Sequence, residues 1–115
     1  MEYKMDFVIT EYKHCDLIEI HGRIDSYSAP QLEMALKGRI VDGQHNFVVN
    51  MAEVNFISSS GILLFVNFKK QFLRQEQGEI VFSDLPNLVM SSFKLAGFDQ
   101  LFTFYDDTIS AVGSF

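Results

Sequence analysis

Tryptophan is absent, cysteine occurs once and proline only twice in these 115 residues. A lone thiol, Cys15, cannot close an internal disulfide, so the fold has to be held by its own core, and a reducing compartment suits it. With so few prolines, and with no repeat or low-complexity tract, nothing marks a linker, and one compact domain over 1–115 is the expectation. Long apolar stretches are missing as well. The longest run, Ile62 to Val66, falls far short of the ~20 residues a membrane span needs. The opening Met1 to Phe7 carries Glu2, Lys4 and Asp6 where a secretion signal would be uninterruptedly apolar. A cytoplasmic protein without direct membrane insertion is expected.

Positive charge is also scarce: Lys and Arg number 9 against 15 Asp and Glu, for a net charge of −6. The cations are scattered rather than striped, which disfavours nucleic acid, because a phosphate-backbone binder needs a basic face to release counterions. What the chain has in quantity is apolar residues, 48% of the total, including 12 Phe. That is the composition of an ordinary globular core, filled here by rings that need no buried hydrogen-bond partner.

Phe7 to Thr10 and Leu17 to His21 read as strands of an opening hairpin around the polar Glu11 to Asp16. The second, continued to Ile24, approaches the alternation of a strand with one buried face, and Gly22 marks a bend or a close backbone approach. Ser28 and Gln31 have the spacing of a capping box, with Pro30 in the first turn of a helix from Ala29 to about Ile40. Phe47 to Met51 has the pattern of a central strand covered on both faces.

After Ile57 come Ser58, Ser59, Ser60 and Gly61, and then Leu64, Phe65, Phe68 and Phe72 at helical spacing, so the serines mark a helix N-terminus. Gly78 closes that helix region, and Glu79 to Ser83 is a strand. A helix follows from Pro86 through Ala96 with Gly97 as its left-handed cap, then a strand from Leu101 to Tyr105 and a helix from Thr108 to Val112 begun by Asp106 and Asp107. Alternating strands and helices make this an α/β fold, a mixed, mostly parallel sheet of about five strands with about four helices.

Catalytic readings find little support. The serine cluster lacks the glycine two places before the nucleophile that a nucleophile elbow uses. His14, His21 and His45 have neither triad nor metal-ligand spacing, and no phosphate-binding Gly-rich loop followed by Lys and Ser or Thr occurs. No enzyme, no cofactor and no metal are expected.

Three patches together resemble the STAS domains, the family of bacterial anti-sigma factor antagonists and sulfate transporter tails. They are Ile18-Glu19-Ile20-His21-Gly22-Arg23-Ile24-Asp25 with Ser28-Ala29 and Leu32, the stretch Val48 to Gly61, and Leu95-Ala96-Gly97-Phe98-Asp99 to Phe104. The resemblance implies a binding protein whose partner is an anti-sigma factor that is also a serine kinase. Phosphorylation would release that partner and a phosphatase would restore binding. Carried over position by position, the phosphorylated serine is Ser59, with Ser58 a second candidate. Asp25, Ser58, Ser60, Gly61 and Ile62 would form the partner-binding surface.

The chain departs from the family pattern at Ser58 and Asn50, where aspartates are common, so two acidic groups would be missing beside the phosphorylation site. A second reading is a constitutive STAS binding or scaffold subunit of a transport or signalling assembly, whose loop docks without being modified.

Overall fold

The computed structural model describes residues 4–115. Its order is β1 (Met5–Glu11), β2 (Asp16–Ile24), α1 (Ala29–Val41), β3 (Asn46–Ile57), α2 (Ser59–Gln75), β4 (Glu79–Ser83), α3 (Asn87–Ala96), β5 (Thr103–Tyr105) and α4 (Thr108–Gly113). The sheet runs β1-β2-β3-β4-β5, with β1 and β2 antiparallel and the remaining pairs parallel. The single-domain α/β class and the mixed five-stranded sheet are as the sequence suggests.

Alternation along the strands splits the core by face. Ile18, Ile20, Val49, Met51, Ile80 and Phe82 pack with Leu32 and Leu36 of α1, Phe65 and Phe72 of α2, and Val89 and Phe93 of α3. Their alternates Leu17, Val48 and Val81 face the other way, onto Ala111 of α4 and onto Cys15. The first half of β2 is therefore buried on both faces rather than one, because α4 covers the sheet where the sequence pattern expected solvent. None of the 12 phenylalanines is exposed. Phe82 is their hub, with the rings of Phe65, Phe93 and Phe102 edge-on at 5.1, 5.3 and 5.0 Å.

Several local expectations are corrected. The capping box at Ser28 does not form: the Ser28 side chain caps no amide of α1 and its hydroxyl donates back to the Arg23 carbonyl at 2.7 Å. The turn is built by Asp25 instead, whose Oδ1 accepts from the amides of Tyr27 and Ser28 at 2.9 and 3.1 Å. The central strand does not stop at Met51 but continues to Ile57, since Val54 and Ile57 remain in the core. α2 ends at Gln75 with Glu76 as its left-handed cap (φ 52°), and Gly78 just beyond it has a positive φ of 101° and a close approach as well: a Cβ there would lie 2.5 Å from the His45 carbonyl oxygen. Gly22 is likewise a close approach, where a Cβ would overlap the carbonyl oxygen of Lys4.

At the opposite end of the sheet from the serine cluster, Asp16 is fully buried and held by Arg39 and Gln44. This ties the β1–β2 hairpin to the C-terminal end of α1, and it leaves the other end to the loops that carry the site.

Candidate functional site

Because β2 and β3 are parallel neighbours, the loops after them, and the N-termini of α1 and α2 that follow, lie side by side at one end of the sheet. The register pairs Ile24 with Ile57, and the Ser58 amide donates to the Ile24 carbonyl at 2.8 Å. The Asp25 turn and the serine cluster are thereby brought together.

Ser58 is the N-cap of α2. Its backbone is extended (φ −87°, ψ 172°), its Oγ accepts from the Gly61 amide at 3.2 Å and its carbonyl accepts from the Ile62 amide at 3.0 Å. Ser59 is the first helical residue and is exposed, as is Ser60. Among the described residues the amides of Ser59 and Ser60 meet no acceptor, as befits the first turn of a helix. Ser58, half-buried and capping, and Ser59, exposed with a free hydroxyl, are thus distinguished by their place in the first turn.

Gly61 is required by packing rather than by φ. A Cβ at this position would come within 2.8 Å of both Ile24 Cγ2 and Ile57 Cγ1 and 3.1 Å of the Ile24 carbonyl oxygen. Its absence lets the tip of α2 settle on the end of β2. Ile62, expected among the contact residues, is only 2% exposed and belongs to the core, so its side chain forms floor rather than contact surface. Leu63, the next residue, turns outward at 46%.

Asp25 is committed to its own turn. Besides the two amides, its Oδ2 accepts from Arg23 Nε at 3.0 Å, and the Arg23 guanidinium lies 3.9 Å over the Phe56 ring. The amide of Ser28, aided by Arg23, the Tyr27 amide and the Ser28 hydroxyl, holds the Asp25 carboxyl below the usual carboxylate range, against the opposing pull of burial.

Asn50, expected beside the serines, is not there. β3 continues for seven residues beyond it, and its side chain donates to Thr108 Oγ1 at 2.7 Å on the α4 side of the sheet. That hydroxyl also donates to Asp84 Oδ2 at 3.0 Å, so an amide rather than a carboxylate suits position 50. Only Ser58, of the two departures, touches the site.

Residues from α3 also reach it. Ser59 shares a surface depression with Ser92, Leu95 and Ala96, and Leu95 is 90% exposed. On the other side Ser60 shares a depression with Ser26 and Leu63, and Tyr27 above the Asp25 turn is 91% exposed. Leu95 had a readable signal: Val89 and Phe93 define the buried face of α3, and Leu88 and Leu95, seven residues apart, fall on the outer one.

Comparison with known proteins settles the family, for the STAS domain matches residues 6–111. The chain belongs to the STAS domain family. The anti-sigma-B factor antagonist of Listeria monocytogenes is 31% identical over 88 residues, covering 76% of this chain and 75% of that protein. BtrV of Bordetella bronchiseptica is 31% identical over 96 residues, covering 84% of this chain and 82% of BtrV. The fold is that of the anti-sigma factor antagonist SpoIIAA in its unphosphorylated form, with a TM-score of 0.81 at 16% identity over 95% of each chain. The phosphorylated form of the Bacillus SpoIIAA gives a TM-score of 0.74 at 15% identity, covering 95% of this chain and 98% of that one.

Among the described residues no helix of this STAS domain is long and apolar enough to cross a membrane.

Proposed function

We propose that this STAS domain is an anti-sigma factor antagonist: it acts by binding an anti-sigma factor, is not itself an enzyme, and is switched by phosphate on Ser59. The observation that carries the reading is the exposed Ser59 hydroxyl at the tip of α2, with the neighbouring Ser58 occupied as the cap. The names of the Listeria and SpoIIAA proteins support the partner class, and the existence of SpoIIAA in two phosphorylation states supports the switch.

The physical chemistry is direct. A phosphate on Ser59 adds roughly −1.5 to −2 charges at pH 7, and the fold tolerates it, because the amides of Ser59 and Ser60 and the positive end of the α2 dipole favour an anion there. The docking surface does not. Leu95, Leu63 and Tyr27 flank the serine with exposed apolar area, and a partner that covers them has to desolvate the new charge or place a like charge against it. Binding is lost while the domain stays folded. The partner kinase places the phosphate, a phosphatase removes it, and the exchange takes place in the cytoplasm. In this cycle Asp25 shapes the turn beside the contact surface, Ser58 and Gly61 hold the tip of α2, and Ser60 and Leu63 meet the partner.

The test is the affinity of the purified chain for its cognate anti-sigma factor, measured by calorimetry for wild type, Ser59→Ala and Ser59→Asp. Ser59→Ala binds as wild type, whereas Ser59→Asp is at least about tenfold weaker, ~1.4 kcal/mol. Equal affinity of all three contradicts the switch, and the absence of binding to any anti-sigma factor contradicts the function.

A further inference from the structure

The depression beside Ser60 does not end there. Glu33 and Asn67 line it, and both also line a second depression farther along the seam between α1 and α2, where Lys37, Lys70 and Arg74 gather. One groove thus runs from the serine cluster to the far end of α2. Its α2 wall is Leu63, Asn67, Lys70 and Arg74, all exposed and spaced by four, three and four residues, a single stripe down the helix. At 1.5 Å of rise per residue the stripe is ~16 Å long, the reach of about five extended residues.

The charge along this groove is opposite in sign to the net charge of the molecule. In a chain of net charge −6 it sets three cations against one carboxylate. Glu33 pairs with Lys37 at 3.2 Å. Lys70 and Arg74 have no acidic partner among the described residues, whereas Arg23, Arg39 and Lys69 are each held by a carboxylate. The groove is therefore apolar at the end next to Ser60 and cationic at the other, with the charges of Lys70 and Arg74 uncompensated from within.

We propose that this groove docks an acidic segment of the same partner that meets Ser59, with an apolar side chain of that segment at Leu63 and its carboxylates at Lys70 and Arg74. The proposal rests on the binding role argued above and extends the partner's footprint away from the phosphorylation site. The segment adds affinity and direction: a chain that has to satisfy both ends can lie in only one orientation, with its apolar end toward the switch. Part of the partner's hold is then electrostatic and insensitive to Ser59, and salt weakens it even when no phosphate is present.

The experiment follows amide resonances of the 15N-labelled chain during titration with a short synthetic peptide that carries one leucine followed by a run of Asp and Glu. A control peptide has Asn and Gln in their place, and inorganic phosphate serves as a further control. The acidic peptide is expected to shift Leu63, Asn67, Lys70 and Arg74 in a salt-dependent manner, and the neutral peptide is not. Lys70→Glu/Arg74→Glu, and the milder Lys70→Gln/Arg74→Gln, are expected to weaken both the peptide and the cognate anti-sigma factor by about fivefold or more. Absent or scattered shifts, or phosphate alone reproducing the pattern, overturn the proposal. An anti-sigma factor that binds wild type and both double variants equally also overturns it, with the function left standing. If the acidic peptide fills the groove while no anti-sigma factor binds, the groove holds and the partner class falls.

Discussion

The Ser58 amide donates to the Ile24 carbonyl at 2.8 Å, and this bond places the tip of α2 against the Asp25 turn. Two loops that are distant in sequence become one surface, on which a structural serine and an exposed serine stand next to each other. The distinct surroundings of Ser58, which caps, and Ser59, which is exposed, follow from that geometry, and each carries a consequence for stability.

Ser58→Ala removes the acceptor of the Gly61 amide and is expected to cost about 1 kcal/mol in urea unfolding. Ser58→Asp keeps an N-cap and stays within a few tenths of wild type. Ser59→Asp places a carboxylate in the first turn of α2 and is expected to be neutral or to stabilise by ~0.3–1 kcal/mol. Reversal of this order, with Ser59→Asp the more damaging, would mean that the two serines have been assigned each other's places.

Gly61→Ala drives a methyl group against Ile24 Cγ2 and Ile57 Cγ1. Overpacking of this kind costs typically 1–3 kcal/mol, and here it lifts the tip of α2 from the sheet. Lower stability together with shifted amide resonances for Ile24, Ser58 and Ser59 is the expected outcome. An unperturbed spectrum would show that the close approach does not set the position of the tip.

Asp25 titrates below the ordinary carboxylate range when folded, so its interactions contribute stability above the unfolded-state value of ~3.9 and lose it as pH falls through the lower folded value. Asp25→Asn removes this contribution. The stability difference between wild type and variant is therefore expected to be largest near neutral pH and to shrink as acid is added below about pH 4. Urea midpoints measured against pH check it, and a constant difference would deny Asp25 its role in the turn.

Much of this was legible in the chain because its local signals agree with one another. Helical spacing from Leu64 to Phe72, the serines before it and Gly97 after α3 all act over a few residues, so the second half of the fold reads off directly. What escaped depends on contacts between elements. Nothing near Asn50 says that the strand continues, because the exposed residues Ala52, Glu53 and Asn55 break the apolar run while the main chain stays paired with β2 through two register shifts, between Glu19 and His21 and between Gly22 and Arg23. Ser28 has the residue type and spacing of a cap, but its hydroxyl donates to the carbonyl of Arg23, and Asp25 takes over the turn. Ile62 looks like its neighbour Leu63, and only the rotation of α2 on the sheet decides which is buried. The seam between α1 and α2 is invisible for the same reason, since its walls come from two helices whose facing stripes are fixed by packing.

The switch proposed for this domain is the Ser59 hydroxyl. Incubating the wild-type chain, Ser58→Ala and Ser59→Ala with the cognate anti-sigma kinase and ATP, then mapping phosphate by mass spectrometry, tests it most directly. A single phosphate is expected on Ser59 in wild type and in Ser58→Ala, and none in Ser59→Ala. Phosphate on Ser58 or elsewhere, or undiminished labelling of Ser59→Ala, would contradict it.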